Sequence, residues 1–268
     1  MPYLAIALLL VAACSSQHSG TPHSSPPQDP STRSASGAES QAPEEREPDV
    51  VVQKDKPAKR ADVDPEINKR FLDPKLDLER WQKTFEGESR EVYASRNEVV
   101  AALKIRPGQS VADIGAGTGF YLWDFAKVVG PKGHAYGVEI SPRFLEHLRK
   151  HVVDAKVSNA TIVSGTETSV ELPAQSVDVV FICDTYHHFE YPQATLASIR
   201  KALRPGGTLA IVDFKRVEGE SSKWTLDHVR AGKEVFRSEI EAAGFTFIEQ
   251  SKVEGLSENY MLQFRRSE

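Results

Sequence analysis

A glycine-rich turn flanked by two acids is the group of residues with the clearest chemistry. Asp113 precedes Gly115, Gly117 and Gly119, and Glu139 lies 20 residues after Gly119. Glycine permits backbone angles closed to other residues and lets the chain approach a ligand closely. A helix that follows such a turn offers free N–H groups to a carboxylate, while Asp113 can accept from an ammonium group. An acid at the spacing of Glu139 accepts from ribose hydroxyls, so the sequence predicts a ligand with a ribose and an amino-acid end.

Histidines carry the remaining chemistry. His187 and His188 follow an apolar run, and an imidazole titrates in the range needed to take a proton from a hydroxyl or an enol-type carbon. Either is a candidate catalytic or substrate-contacting residue, but only one would face the site if the segment is extended. The alternative is that they are loop histidines that pack or cap. His228 is a weaker candidate. The cysteines, Cys14 and Cys183, form no disulfide framework or Cys-rich metal site, and we predict no metal.

Apolar runs and helix signals alternate along the chain and place these residues at strand ends. We predict strands at 110–114, 135–139, 161–164, 177–183, 208–213, 245–252 and 260–264. We predict helices at 91–103, 121–129, 142–151, 193–203 and 233–243. Ser141 is the expected N-cap of the third helix, with Pro142 at its first position. Strands that alternate mainly with helices indicate a largely parallel, doubly wound sheet.

The last two predicted strands differ from the others. A short loop containing Gly255 separates them, and it is too short for a parallel crossover. They must therefore pair as an antiparallel hairpin. The predicted fold class is α/β, a Rossmann-like seven-stranded doubly wound sheet that is mostly parallel with an antiparallel C-terminal hairpin strand.

Composition divides the chain into a linker and a folded domain. Residues 15–69 contain no Phe, Tyr or Trp and are rich in Ser, Pro and charged residues, which predicts a disordered linker. Aromatic and aliphatic residues recur from Phe71 onward, so we expect one domain at 71–268. The net charge is −5 with both signs interspersed, and without a basic stripe we expect no nucleic-acid partner.

The first fourteen residues resemble an export signal. The uncharged apolar run 4–13 is too short to span a bilayer but suits the core of a signal peptide. It ends in Val11-Ala12-Ala13-Cys14, which resembles the lipobox of bacterial lipoproteins, in which the cysteine is lipidated. We therefore expect a signal peptide at 1–13, a lipidation site and linker at 14–70, and a protein of the cell envelope that contacts the membrane only through Cys14. Residues 1–3 lack the usual positive charge, which leaves a cytoplasmic location as the alternative.

Two motifs resemble those of one enzyme family. Residues 111–119, Val-Ala-Asp-Ile-Gly-Ala-Gly-Thr-Gly, resemble motif I of class I S-adenosylmethionine-dependent methyltransferases. Residues 203–209, Leu-Arg-Pro-Gly-Gly-Thr-Leu, resemble the turn before their fifth strand. Dinucleotide folds use G-x-G-x-x-G, whereas here the third glycine is one place early and Phe120 stands in its position. The resemblance runs over residues 81–264 and implies S-adenosyl-L-methionine as cofactor.

The resemblance also implies site residues. By position, Gly165-Thr166-Glu167 corresponds to the adenine-contacting segment, and Asp184 lies beside the methyl group. The implied cofactor-binding residues are Asp113, Gly115, Ala116, Gly117, Gly119, Glu139, Ile140, Thr166, Glu167 and Asp184. Segments 176–180 and 186–189 are similar to the branch typified by ubiquinone and menaquinone biosynthesis enzymes. That branch implies a small-molecule substrate, although the substrate itself does not transfer with the likeness.

We therefore expect in-line methyl transfer to an unidentified, small-molecule nucleophile. Two alternatives remain: a protein that binds S-adenosylmethionine without turnover, and an NAD-linked oxidoreductase, which Phe120 and the terminal hairpin disfavour. In such enzymes the residues upstream of motif I often cover the cofactor, so Tyr93 and Arg96 are candidate lid residues.

Overall fold

The structure, a computed structural model, describes residues 66–268. The expected signal peptide, Cys14 and most of the expected linker lie outside the described residues. The helices are α1 (Lys69–Leu72), α2 (Leu78–Phe85), α3 (Glu91–Ala94), α4 (Arg96–Ala102), α5 (Phe120–Val129), α6 (Pro142–Asp154), α7 (Pro192–Ala202), α8 (Lys223–His228) and α9 (Lys233–Ala242). The strands are β1 (Ser110–Ile114), β2 (His134–Glu139), β3 (Ala160–Ser164), β4 (Val177–Cys183), β5 (Leu203–Phe214), β6 (Phe245–Ser251) and β7 (Asn259–Arg266).

All seven strands join one sheet, in the order β3-β2-β1-β4-β5-β7-β6. Strands β1 to β5 pair in parallel, and β7 runs antiparallel to both β5 and β6. The predicted fold class, including the terminal hairpin, is confirmed. Strand β5 begins at Leu203, five residues before the predicted start, because Leu203 pairs with Val177 ahead of a register shift in β4.

Both faces of the sheet are covered, as the apolar strands require. Along β4, Val180 and Ile182 pack into one hydrophobic cluster, while Val179 and Phe181 pack into another. Successive strand residues point to opposite faces, so a strand that is apolar at every position must be buried on both. The carboxyl ends of the parallel strands therefore form an edge at which loops, rather than covering helices, meet.

The predicted helix at 91–103 is wrong in one respect, because it is two helices with a break at Ser95. The hairpin loop presses on this break: a Cβ placed on Gly255 would lie 2.0 Å from the Ser95 hydroxyl. Gly255 also has φ +86°, a conformation open to glycine. The break thus seats the upstream helices against the C-terminal hairpin.

Helix α6 begins at Pro142, as predicted, but Ser141 does not cap it through its side chain. The Ser141 side chain makes no capping hydrogen bond, and its buried hydroxyl has no partner among the described residues. The backbone N–H of Ser141 instead donates to Glu139 Oε1 at 2.8 Å. The acid at the end of β2 therefore organises the entry into α6.

The structured region begins before the expected boundary at Phe71. Helix α1 starts at Lys69, and the buried Asn68 donates to the carbonyl of His188 at 3.0 Å. Helices α1, α2 and α8 were not predicted. Among residues 66–268, no helix combines the length and the apolar character needed to cross a membrane.

A buried ion pair fixes the segment after β4. Arg230 donates to both carboxylate oxygens of Glu239, at 2.8 and 2.6 Å, and both side chains are 5% exposed. The Tyr186 hydroxyl donates to Glu239 Oε2 at 3.0 Å. This network connects the turn after β4 to α9.

We expect Glu239→Gln to lower the free energy of unfolding by about 3–5 kcal/mol, because it leaves the Arg230 guanidinium buried without its counter-charge. Urea unfolding measures the change. Asp154→Asn is the matched control, since it breaks an exposed pair with Lys150 and should change the value by less than about 0.5 kcal/mol. Equal stabilities of the two variants would contradict a stabilising role for the buried pair.

Candidate active site

A cavity lies where the carboxyl ends of the parallel strands meet. One part of its wall follows β1 and β2, and a second follows β3, β4 and β5. The third part consists of residues between 68 and 90, upstream of β1. The site residues predicted from sequence that line the cavity are Asp113, Gly115, Ala116, Gly117, Glu139, Ile140, Thr166, Glu167, Asp184, His187 and His188.

Gly119 is the exception among them. It does not line the cavity but stands at the N-cap of α5 with φ +88°. A Cβ there would lie 2.6 Å from Leu148 Cδ2 and 2.9 Å from the Trp123 ring. Gly119 therefore allows α5 and α6 to approach each other, and its predicted contact with a ligand stays a prediction.

Gly115 joins two turns. Its φ is +73°, and a Cβ would lie 2.4 Å from Thr185 Cγ2 in the turn after β4. No larger residue fits without moving one of the turns. The backbone N–H groups of Gly115 and Ala116 donate to the Val138 carbonyl at 2.8 and 3.1 Å, which holds the glycine turn against β2.

Glu139 is held by backbone donors. Its Oε2 accepts from the N–H of Gly117 at 2.8 Å, and its Oε1 accepts from Ile140 and Ser141, both at 2.8 Å. Burial raises the pKa of this carboxyl, while the three N–H groups favour its ionised form. Glu139 thus shapes the glycine turn as well as lining the cavity, and its contact with a ribose stays a prediction.

Asp113 is a buried acid beside a second acid. Its side chain is 3% exposed within the cavity wall. Burial, followed by the negative charge of Glu139, raises the pKa of Asp113 to about 8, against a backbone hydrogen bond from Leu122 that lowers it. A positively charged ligand group at this position would favour the ionised carboxylate.

Asp184 is engaged by the protein. Its Oδ2 accepts from Arg90 Nη2 at 2.7 Å, and its Oδ1 accepts from Asn259 Nδ2 at 2.6 Å. Its backbone is in the left-handed region, with φ +46°. Burial raises the pKa of Asp184, opposed by the guanidinium of Arg90. The carboxylate holds the cavity wall together, and a direct contact with the cofactor stays a prediction.

Aromatic rings from the upstream segment cover the cavity. The Trp81 ring centroid lies 5.2 Å from that of Phe85, which lies 5.9 Å from Phe144 at the start of α6. The candidate lid residues Tyr93 and Arg96 line a neighbouring cavity instead, with the Arg96 guanidinium 4.5 Å from the Tyr93 ring centroid. Tyr93 packs on Phe120, which lines both cavities, and the role of Tyr93 and Arg96 as a lid stays a prediction.

Thr166 and Glu167 form an exposed turn at the rim. The Thr166 N–H donates to the Ser169 carbonyl at 2.8 Å, and Thr195 Oγ1 donates to the Glu167 carbonyl at 3.1 Å. The turn is exposed to solvent and also lines the cavity, so its exposure is compatible with the predicted contact with adenine.

Both adjacent histidines line the cavity. They lie on a 3₁₀ turn, Tyr186–His188, so the extended segment for which only one of them was expected to face the site is not formed. His187 Nδ1 lies 2.8 Å from Asp213 Oδ1, and Asp213 is fully buried. His188 Nε2 lies 3.2 Å from His228 Nε2.

Burial controls the charge of two of these rings. Burial, followed by the effect of the nearby His187, lowers the pKa of His188 to about 2 and that of His228 to about 4. Both imidazoles are therefore neutral at pH 7. Asp213, Arg90 and Asn259 were not identified from the sequence, although an acid that ends the apolar strand β5 was a usable indication for Asp213.

We expect the contribution of Asp113 to the unfolding free energy to fall as pH rises from about 5 to 8. The folded pKa of Asp113, about 8, lies above its ordinary value of 3.8, so in this window the folded state holds a proton that the unfolded state releases. The slope reaches about 1.4 kcal/mol per pH unit for one group. Urea unfolding at several pH values should therefore show the stability of the wild type falling relative to that of Asp113→Asn across this window, whereas the control Asp154→Asn should follow the wild type. Parallel profiles for Asp113→Asn and the wild type would contradict the raised pKa.

Comparisons with known proteins agree with this geometry. A family model described as "Methyltransferase domain" matches residues 105–260, more than half of the 268-residue chain. The ubiquinone/menaquinone biosynthesis C-methyltransferase UbiE of Burkholderia orbicola is 30% identical over 118 residues, which are 44% of this chain and 48% of that protein. The chain thus spans about half the length of the curated relatives that it matches.

Solved structures share the fold. A SAM-dependent methyltransferase from Aquifex aeolicus has a TM-score of 0.63 at 23% identity, covering 72% of this chain and 100% of that one. The [4+2]-cyclase SpnF has a TM-score of 0.55 at 16% identity, covering 65% and 81%. S-adenosyl-L-methionine is the cofactor that the family implies, and the resemblance to class I methyltransferases is confirmed. The chain belongs to the methyltransferase-domain family.

Proposed function

We propose that the chain is an S-adenosylmethionine-dependent methyltransferase that acts on a small molecule. One observation carries the proposal: a cavity at the carboxyl ends of the strands joins the Asp113 turn and Glu139 to three histidines, His187, His188 and His228. Ligands of open α/β sheets bind at this edge. The relatives that match over about half their length are named as C-methyltransferases, which supports the same class of reaction.

The cavity walls fit the cofactor. Asp113 is buried next to another acid, and the ammonium and sulfonium groups of S-adenosylmethionine would supply positive charge there. Glu139 Oε2 accepts one N–H in the structure and retains capacity for a ribose hydroxyl. Thr166 and Glu167, on the β3 side of β1, are the proposed adenine contacts.

The protein's contribution to the chemistry is alignment and proton removal. When bound, S-adenosylmethionine supplies a methyl carbon activated by positively charged sulfur. The acceptor atom forms the new bond to carbon, the electron pair of the broken carbon–sulfur bond stays on sulfur, and the acceptor's proton is lost. The chain must hold the acceptor in line with that bond and receive or release the proton.

The acceptor side lies across β1 from the proposed adenine contacts. Strands β4 and β5 are on the opposite side of β1 from β2 and β3, and the histidines follow them. Phe214 and Trp224 line this end as well. Aromatic walls with neutral imidazoles suit a largely apolar molecule with a hydroxyl or a carbon acid. The net charge of −5 supports the proposal that nucleic acid is not the substrate.

We further propose that the protein is an envelope lipoprotein anchored through Cys14, on the basis of the Val11-Ala12-Ala13-Cys14 box. Cys14→Ser should abolish lipid labelling and membrane association, because the cysteine is the acylated group, and should leave cofactor binding unchanged. Fractionation with labelled fatty acid measures this. A wild-type protein in the soluble cytoplasmic fraction with Met1 retained would refute the anchor.

The proposed function is tested first by binding. We expect calorimetry to detect S-adenosylmethionine but not NAD, and we expect Glu139→Ala to weaken that binding by roughly 1.5–3 kcal/mol, the usual contribution of hydrogen bonds to a charged group. Glu146→Ala, an exposed acid on α6, is the matched control and should bind like the wild type. An unchanged dissociation constant in Glu139→Ala would remove Glu139 from the site.

Turnover is tested with the labelled methyl donor and a panel of small hydroxylated and carbon-acid acceptors. Formation of S-adenosylhomocysteine together with a labelled product is the expected result. Binding of the donor without transfer to any acceptor would favour the non-catalytic alternative, and binding of NAD instead would favour the oxidoreductase.

A further inference from the structure

Three imidazoles from two separate elements meet at the acceptor end of the cavity. His187 and His188 come from the 3₁₀ turn after β4, and His228 is the last residue of α8. One ligand nitrogen from each ring lies within 4.8 Å of the other two. Three imidazole nitrogens this close together form a set of side chains that could bind one metal ion.

The His187 ring is fixed by a buried carboxylate. Its Nδ1 lies 2.8 Å from Asp213 Oδ1, and its own backbone N–H donates to Asp213 Oδ2 at 3.2 Å. With Nδ1 occupied as the donor to the carboxylate, Nε2 is the nitrogen left with a free lone pair. A carboxylate behind a histidine is the usual outer partner of a metal-binding imidazole, because it sets the tautomer and the ring orientation.

The rings of His188 and His228 are spaced like two ligands of one metal ion. The Nε2 atoms of His188 and His228 lie 3.2 Å apart, and two nitrogens at 2.0–2.1 Å from one tetrahedral ion lie roughly 3.3–3.4 Å apart. His188 Nδ1 is also buried, and it has no hydrogen-bond partner among residues 66–268. His188 Nδ1 is therefore unsatisfied, and the contact of its Nε2 with His228 Nε2 joins two atoms that can each act as a metal ligand.

The surroundings favour a confined ion over a solvated one. The ring centroid of Phe214 lies 5.9 Å from that of His187, and the ring centroid of Trp224 lies 4.7 Å from that of His228. Arg70 Nη2 approaches His228 Nε2 at 3.5 Å, the limit of a hydrogen bond. Arg70 is exposed, so its side chain can leave this contact for solvent.

We propose that His187, His188 and His228 bind one divalent ion of the zinc class, with a fourth position open toward the cavity. Three imidazoles and an open position are a donor set typical of catalytic zinc. Resting on the proposed function, an ion held here would face the acceptor and bind one of its oxygens, which would make loss of the acceptor's proton easier. Binding of the ion itself does not depend on methyl transfer.

The test uses the purified full chain without a polyhistidine tag, stripped with chelator. Zn²⁺ is titrated by calorimetry, and Co²⁺ is titrated by visible absorption, which reports tetrahedral nitrogen ligation. The wild type and His134→Ala, a histidine at the far end of β2, should each bind one ion. His228→Ala should bind at least about 100-fold more weakly, and Asp213→Asn about 10–100-fold more weakly because it loses only the outer partner.

Equal Zn²⁺ affinity of His228→Ala and the wild type, or no Zn²⁺ binding by the wild type, would overturn the proposal. Circular dichroism melting shows whether each variant is folded, and His188→Gln replaces His228→Ala if the latter is not. S-adenosylmethionine binding is measured on the same samples. If the wild type binds the donor and transfers methyl groups but binds no Zn²⁺, the metal site is refuted and the proposed function stands. If it binds Zn²⁺ but not the donor, the proposed function is refuted and the metal site stands.

Discussion

The buried carboxylate of Asp184 is the constraint on which the cavity depends. It accepts from Arg90, upstream of β1, and from Asn259, at the start of β7, while it sits in the turn after β4. Three distant parts of the chain therefore meet at one acid. Because removing Arg90 would leave the buried Asp184 carboxylate without its counter-charge, this pair holds the upstream segment against the turn after β4. The left-handed backbone of Asp184 is held by the same contacts, together with its N–H bond to the Val212 carbonyl at 2.9 Å.

A second acid extends this connection to the hairpin. The Glu91 carboxylate accepts from the backbone N–H groups of Ser257, Glu258 and Asn259, at 2.7, 2.9 and 2.5 Å. The loop between β6 and β7 thus binds the beginning of α3, directly after Arg90. The antiparallel hairpin completes the sheet and also anchors the segment that covers the cavity, so the C-terminus of the fold contributes to a site built mainly from its first half.

The sheet was predictable from sequence because the patterns that indicate its strands lie within short stretches of the chain. Each strand is a short apolar run, and the loop at Gly255 dictates an antiparallel return. The glycine turn could also be predicted from the sequence, although its last glycine, Gly119, allows two helices to pack closely. The contacts of Asp184 with Arg90, 94 residues away, and of His187 with Asp213, 26 residues away, leave no periodic trace. Helices of four residues, such as α1, are too short to show a period.

The contact between Gly115 and Thr185 means that the two halves of the cavity share one steric boundary. A methyl-sized atom does not fit between Gly115 and the Thr185 side chain, so neither turn can move toward the other without displacing it. In the proposed function the first turn lies on the donor side, and the second leads into the histidines. Under the proposed function, a donor that moved the first turn would act on the acceptor side through this contact, and any such coupling would change both affinities by the same factor.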